Sequence, residues 1–150
     1  MEIASLLSVD RVFVDTEISS KKRLLEFISQ QLSDSPELPS EEIFNGLLSR
    51  ERLGSTGLGH GFAIPHARLQ GLAQTRACFL RLPDAINYDS PDQQPVDLVF
   101  ALLIPEQATD EHLQILSALA GIFSQSEVCL QIRRAESAEL ILQLIRQAQS

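Results

Sequence analysis

The nearly unbroken apolar segment Val96–Ile104 constrains the fold of this chain more than any other stretch of sequence. The segment reads VDLVFALLI, with Asp97 as its only charged residue, and Pro105 follows it directly. A strand with one face in water alternates apolar and polar residues, whereas a continuous apolar strand is typical of a sheet that is covered on both faces. We therefore predict a central strand with helices packed on each side of it.

Two segments with helical periodicity precede this strand. Ser20 and Ser40 are each placed to cap a helix, and the second helix is expected to end near Arg52, before Gly54. The apolar residues expected to face the core are Leu24, Leu25, Ile28 and Leu32 in the first helix and Ile43, Phe44, Leu47 and Leu48 in the second.

Further elements surround the central strand in the sequence. Thr75–Leu82 is expected to form a second strand and Pro83–Pro95 a polar loop. Thr109 or Asp110 is placed to cap a helix after the central strand. Two more helices are expected, one over Glu127–Arg134 and one that starts at Ser137. Strands that alternate with helices predict an α/β layered domain, here a single domain over residues 1–150.

The composition is that of a soluble globular protein, with 44% hydrophobic and 21% charged residues. The formal net charge of −8 disfavours binding to the phosphate backbone of nucleic acids. The sequence shows neither a secretory signal nor the roughly 20 consecutive apolar residues of a membrane-spanning helix, so we expect a cytoplasmic protein that does not insert into a membrane. Cys78 and Cys129 lie in apolar segments and are expected in the core.

A glycine-rich stretch, Gly54–Gly61, is the first candidate for chemistry. It has four glycines in eight residues, which allow positive φ angles and a concave nest of N–H groups that binds anions. Ser55, Thr56, Gly57 and Gly59 are therefore candidate phosphate-binding residues. Glycine-rich stretches also form plain tight turns, and the glycines alone do not distinguish the two interpretations. The nucleotide-binding pattern GxxxxGK[ST] is absent.

His66 is the candidate nucleophile. Pro65 fixes its own φ and favours an extended conformation at Ile64, so the imidazole follows a stiff backbone segment beside the glycines. A neutral imidazole is a competent nucleophile near pH 7, and its attack on a phosphoryl donor gives a phosphohistidine. A histidine after proline is also common as a structural residue.

His112 and Arg50 are the candidate partners of His66. His112 falls in the first turn of the helix that follows the central strand, where the positive helix end lowers the pKa of a histidine and attracts phosphate. Arg50 offers a fixed positive charge for bidentate contact with phosphoryl oxygens, or is a solvated arginine at a helix end.

A zinc site is the alternative use of the histidines. His60, His66 and His112 together provide three nitrogen ligands, as in catalytic zinc sites. The helical HExxH spacing is absent, however, and the glycine-rich stretch has no purpose in such a site. No metal and no cofactor are therefore expected.

Two blocks of sequence resemble a known family. The first block contains Arg50–Glu51, Gly54–Gly57 and Gly61–His66, and the second contains Gln94–Leu103 and His112–Leu113. Together they resemble the IIA proteins of the bacterial phosphoenolpyruvate-dependent phosphotransferase system, of the fructose/mannitol-type class and its nitrogen-regulatory branch. The resemblance extends over essentially the whole chain, which reads as one IIA type 2 domain.

The resemblance implies a fold, a chemistry and partners. The fold is a mixed β-sheet with helices on both faces, a three-layer sandwich. His66 aligns with the histidine that is phosphorylated on Nε2, His112 with a second active-site histidine, and Arg50 with an arginine beside the phosphoryl group. The implied donor is a histidine-containing phosphocarrier protein, and no cofactor is stored. Ala67 and His60 depart from the glycine and asparagine that are common at their positions.

Three outputs fit this family. A regulatory protein binds targets such as kinases, transporters or metabolic enzymes according to its phosphorylation state, and the similarity to the nitrogen-regulatory branch favours this output. A sugar-transport protein instead passes the phosphoryl group to a IIB domain. The third alternative is an interaction module without chemistry.

Overall fold

The predicted central strand lies in the middle of one six-stranded mixed sheet. The computed structural model describes residues 2–33 and 36–149. Its strands are β1 Val12–Val14, β2 Gly57–Gly59, β3 Phe62–Ala63, β4 His66–Leu69, β5 Arg76–Ile86 and β6 Val96–Pro105. Its helices are α1 Lys21–Leu32, α2 Ser40–Arg52, α3 Thr109–Phe123, α4 Ser126–Arg134 and α5 Ala138–Gln149, with short 3₁₀ helices at Ile3–Leu6 and Val9–Arg11.

β6 is covered on both faces, as its composition predicts. Its side chains alternate between two hydrophobic clusters, one with α3, α4 and α5 and the other with α1 and α2. The first cluster takes Leu98, Phe100, Leu102 and Ile104, and the second takes Val99, Ala101 and Leu103. The prediction of a mixed sheet between two helical layers is confirmed.

β3 and β4 both run parallel to β6 along the same edge. Phe62 of β3 pairs with Leu98 of β6, and His66 of β4 pairs with Leu102 of β6. Between these strands the carbonyl of Pro65 accepts a hydrogen bond from the Leu102 N–H at 3.0 Å. The segment before the candidate nucleophile is therefore extended, as predicted, and is held directly against the central strand.

The predicted cap at Ser20 is present, and Ser137, where the last helix was predicted to start, instead caps α5. The Ser20 hydroxyl accepts a hydrogen bond from the Arg23 N–H, and the Ser137 hydroxyl accepts one from the Leu140 N–H, each at 3.1 Å. Each bond satisfies an N–H group that has no partner within its helix.

The caps predicted at Ser40 and at Thr109 or Asp110 are wrong. Pro39 and Ala108 take those positions, and neither makes a side-chain cap, so Ser40 and Thr109 are the first residues of their helices. The fixed φ of proline is compatible with both extended and helical backbone. Pro39 therefore precedes the first residue of α2 without a polar capping side chain.

β5 is longer than the sequence predicts. It continues through Pro83 to Ile86, so the predicted loop begins four residues too early. The pairing with β6 shifts register between Arg81 and Ile86. This irregularity accommodates Pro83, because proline has no N–H to donate to a regular ladder.

Both cysteines are buried free thiols, as predicted. Cys78 is fully buried in β5, and burial raises the pKa of its thiol to about 12. The thiol therefore remains protonated and packs as a small apolar group.

Within the described ranges, no single helix is long and apolar enough to cross a membrane. α3 and α4 reach the required length and composition only as a pair, and they are bent by 79° where they meet.

Candidate active site

His66 is the first residue of β4 and is only 7% exposed. Its Nδ1 lies 2.7 Å from the carbonyl oxygen of Ile64. Because a carbonyl only accepts hydrogen bonds, Nδ1 carries the proton of the neutral ring and Nε2 carries the lone pair. The backbone thus fixes both the orientation and the tautomer of the imidazole and leaves the lone pair of Nε2 free.

The surroundings of His66 lower its pKa. Burial has the largest effect, and the positive charge of Arg50 acts in the same direction. The hydrogen bond to Ile64 and the negative charge of Glu51 oppose the change without reversing it. His66 is therefore neutral at neutral pH, which is the state in which an imidazole attacks.

His112 lies beside His66, in the first turn of α3. The two ring centroids are 5.2 Å apart and the rings meet edge to face at 73°. The Nε2 atom of His112 is buried and has no hydrogen-bond partner among the described residues. An unpartnered polar atom next to the candidate nucleophile is available to contact a bound group.

The pKa of His112 is lowered as predicted, but the leading cause differs. Burial acts most strongly, followed by the charge that His66 carries when it is protonated and by the positive charges of Arg68 and Arg50. The position in the first turn of α3 predicts that the helix end lowers the pKa of His112, whereas burial against other elements cannot be read from one segment of sequence.

Arg50 lies in the last turn of α2 and is half-buried. Its Nη1 donates a hydrogen bond to the carbonyl of Gly54 at 2.9 Å, which holds one end of the guanidinium in place. Its charge lowers the pKa of both His66 and His112, so the three predicted residues come from three elements to one place.

Arg68 is a site residue that the sequence analysis did not single out. It follows His66 by two positions in β4, so both side chains leave the same face of the strand. Its guanidinium donates a hydrogen bond to the carbonyl of Glu106, and its charge lowers the pKa of His112. The alternation of side chains along a strand that starts at His66 was the available signal.

The N–H and hydroxyl groups that were candidates for binding phosphate in the glycine-rich stretch make hydrogen bonds within the protein. The N–H and hydroxyl groups of Thr56 both donate to the carboxylate of Glu51. The Ser55 hydroxyl donates to the carbonyl of Tyr88 at 3.3 Å and accepts from the Gly57 N–H at 3.1 Å. The structure therefore differs from the predicted anion nest, because donors that are hydrogen-bonded within the protein are not free to bind an anion.

Gly59 serves the tight turn that was the alternative interpretation. It has a φ of +94°, and the chain turns through His60 and Gly61 from β2 into the antiparallel strand β3. A side chain at Gly59 would meet the carboxylate of Asp92. A neighbouring carboxylate makes this turn unfavourable for a phosphate anion.

The structure does not join His60 to the other two histidines. The His60 N–H donates to Asp92 at 3.0 Å, and the residue is exposed in the β2–β3 turn. Over residues 2–33 and 36–149, no group of three or more His, Cys, Asp or Glu side chains is arranged to hold a metal ion. The geometry therefore gives the zinc alternative no ligand set.

A buried histidine with one ring nitrogen free, a second histidine and two arginines lie together beside a mixed α/β sheet, an arrangement chemically suited to phosphoryl transfer. The family profile described as "Phosphoenolpyruvate-dependent sugar phosphotransferase system, EIIA 2" matches residues 5–148. The chain belongs to this family and is a phosphoryl-transfer component of that system.

Within the family, the chain is a homologue of nitrogen regulatory proteins. It is 38% identical to the "Nitrogen regulatory protein" of Pseudomonas aeruginosa over 151 aligned positions, which cover 100% of this chain and 98% of the relative. The crystal structure of "Nitrogen Regulatory Protein IIA-Ntr" from Neisseria meningitidis matches with a TM-score of 0.92 and 42% identity, over 95% of this chain and 98% of the other.

A more distant structure is the complex of enzyme IIA-mannitol with phosphorylated enzyme IIB-mannitol from Escherichia coli. It matches with a TM-score of 0.77 and 20% identity, over 93% of this chain and 96% of the other. At this identity the similarity demonstrates a shared fold.

Proposed function

We propose that this chain, acting as one domain, accepts a phosphoryl group on Nε2 of His66 and regulates partner proteins through that modification. The observation that carries the proposal is the hydrogen bond from Nδ1 of His66 to the carbonyl of Ile64 at 2.7 Å. It occupies one ring nitrogen and leaves the other as the nucleophile.

The donor in this proposal is a histidine-containing phosphocarrier protein. The Nε2 lone pair of His66 attacks phosphorus, the P–N bond of the donor's phosphohistidine breaks, and its electron pair returns to the donor's ring nitrogen. Arg50, Arg68 and the unpartnered Nε2 of His112, when it carries a proton, stabilise the negative oxygens during transfer. No cofactor takes part, because positioning and charge provide the catalysis.

Exposed leucines near the site support a protein donor. Leu113 follows His112 and is 69% exposed, and Leu53 follows α2, the helix of Arg50, and is 84% exposed. Exposed apolar side chains beside a polar site are available to pack against a protein partner.

Transfer from labelled phosphoenolpyruvate tests the proposal. The protein is incubated with labelled phosphoenolpyruvate, the phosphotransferase enzyme and the phosphocarrier, and a parallel sample omits the phosphocarrier. We expect label on the protein only in the complete mixture, stable in alkali and lost in acid. A competent donor system that leaves the protein unlabelled would refute the proposal.

A negative charge at residue 66 is expected to release partners that prefer the unmodified protein. Phosphorylation adds roughly −1.5 to −2 charges, which a partner docked against a neutral imidazole meets as repulsion and as a buried anion. We expect His66→Asp to lower the affinity for such target proteins by at least about 10-fold in pull-down and titration. His60→Asp, which adds the same charge in an exposed turn, is the control; equal binding by both variants would contradict this mechanism.

Transfer to a IIB domain is the second candidate function. The complex of the mannitol IIA and IIB proteins, which shares this fold, favours it. The labelled protein is mixed with a purified IIB domain and the label is followed over time. Rapid movement of label to IIB supports a transport role, whereas label that stays on the chain supports the regulatory one.

A further inference from the structure

The carboxylate of Glu51 is a buried acceptor for several donors behind the active site. Its side chain is 3% exposed and lies 2.8 Å from the Lys21 ammonium. It accepts hydrogen bonds from the N–H and hydroxyl of Thr56 and from the Tyr88 hydroxyl at 3.2 Å. A buried carboxylate is costly unless donors satisfy it in this way, so its partners hold one arrangement.

Tyr88 is locked into the same arrangement. Burial raises the pKa of its hydroxyl well above the ordinary value, and the negative charge of Glu51 adds to the effect. The hydroxyl therefore keeps its proton and remains a donor. Lys21 also donates to the carbonyl of Tyr88 at 3.1 Å and lies over its ring, 4.3 Å from the centroid.

From Thr56 the hydrogen bonds continue to the nucleophile. The carbonyl of Thr56 accepts from the Ile64 N–H at 3.0 Å. The carbonyl of Ile64 accepts from Nδ1 of His66 at 2.7 Å. Glu51 thus positions the backbone of Ile64 through Thr56, and the carbonyl of Ile64 orients the imidazole of His66.

Glu51 also neighbours Arg50 in the last turn of α2. Its bonds to Thr56 join the end of α2 to the segment that leads into β2, and Thr56 in turn joins that segment to Ile64. One carboxylate therefore ties the element that carries the arginine to the element that carries the nucleophile.

We propose that Glu51 is a positioning residue for phosphoryl transfer, acting through Thr56 and the backbone of Ile64 to fix the tautomer of His66 and its placement against Arg50. This role rests on the proposed function of His66 as the acceptor. It does not require Glu51 to touch the phosphoryl group.

The charges that face His66 make the role measurable. Arg50 from α2 lowers the pKa of His66, and His112 from α3 lies against its ring. Glu51 is the carboxylate that raises the pKa of His66. Replacing Glu51 by glutamine removes that opposing charge, so the pKa of His66 is expected to fall further below its value in the native protein.

The test compares Glu51→Gln, Thr56→Val and Thr56→Ser with the native protein. Thr56→Val removes the hydroxyl but preserves shape, and Thr56→Ser restores the hydroxyl. Imidazole ¹⁵N shifts report the tautomer and pKa of unphosphorylated His66, and the label assay at saturating donor reports kcat. Ser29→Ala is the control, because it removes a buried hydroxyl bond inside α1, to the carbonyl of Leu25 at 2.7 Å.

We expect Glu51→Gln to lower the pKa of His66, and Glu51→Gln and Thr56→Val both to weaken the Nδ1–H preference and reduce kcat by about 10- to 100-fold. Thr56→Ser and Ser29→Ala are expected to keep the native tautomer and rate. If Glu51→Gln does not fold, Thr56→Val decides.

Variants that lose only thermal stability, with native tautomer, pKa and kcat, would overturn the positioning role. Native protein that accepts no label would instead contradict the proposed function. The ¹⁵N measurements on unphosphorylated protein still decide whether Glu51 fixes the imidazole.

Discussion

His66→Ala is expected to abolish phosphoryl uptake, with the initial rate of labelling reduced by more than about 10³-fold. The reason is chemical: alanine has no atom that can form a bond to phosphorus, and His112 does not replace it. The hydrogen bond from Nδ1 to the carbonyl of Ile64 fixes the tautomer and orientation of His66, whereas Nε2 of His112 is placed to contact the phosphoryl oxygens. Initial rates with phosphorylated phosphocarrier measure the effect.

His60→Asn is the matched control for that variant. His60 has a φ of +56°, a conformation that asparagine adopts with little strain. The control removes an exposed imidazole and leaves the site intact, so its labelling rate is expected to stay within about twofold of native. Comparable labelling of the His66→Ala protein, with folding verified by circular dichroism, would show that another residue is the acceptor.

Arg81 is expected to be a sensitive charged position for stability. It is 8% exposed in β5, and its Nη1 donates to the carbonyls of Ile132, Arg133 and Ala135 at the end of α4. Its other nitrogens contact Asp15 at 3.2 Å, but that side chain is 59% exposed, so solvent screens the ion pair. The bonds to the carbonyls carry most of the stabilisation.

Arg81→Met is expected to lower the free energy of unfolding by about 3–5 kcal/mol, because it removes a charged donor from carbonyls at the end of α4. The carbonyl of Ile132 retains its bond from the Ala135 N–H at 3.3 Å. Urea unfolding measures the change. Arg134→Met, at an exposed position of the same helix, is expected to stay within about 0.5 kcal/mol of native. A loss below about 1 kcal/mol for Arg81→Met would show that water replaces the arginine.

The sequence predicts the central strand and the segments that bring His66 and His112 together, because these depend on local pattern. In a globular protein, an apolar run as continuous as Val96–Ile104 is typical of a strand that is covered on both faces. The extended segment before His66 follows from the fixed φ of Pro65. His112 lies at the site because the first turn of α3 comes shortly after the end of the central strand, where sites of α/β domains commonly form.

The remaining features depend on partners distant in the chain. Nothing near Glu51 indicates that Tyr88 and Lys21 will satisfy its carboxylate, so the donors of Thr56 appeared free for phosphate. The continuation of β5 through Pro83 likewise depends on a register shift against β6, which tertiary pairing alone determines. Local propensity predicts an element, whereas long-range hydrogen bonds decide which donors remain available.

The position of the phosphoryl group on the imidazole is the most direct test of this account. The ¹⁵N-labelled protein is phosphorylated by the phosphocarrier, and ¹H–¹⁵N and ³¹P spectra identify the modified nitrogen. We predict phosphorylation on Nε2 of His66, with Nδ1 still protonated and bonded to the carbonyl of Ile64. A phosphoryl group on Nδ1 of His66, or on any other residue, would contradict the account.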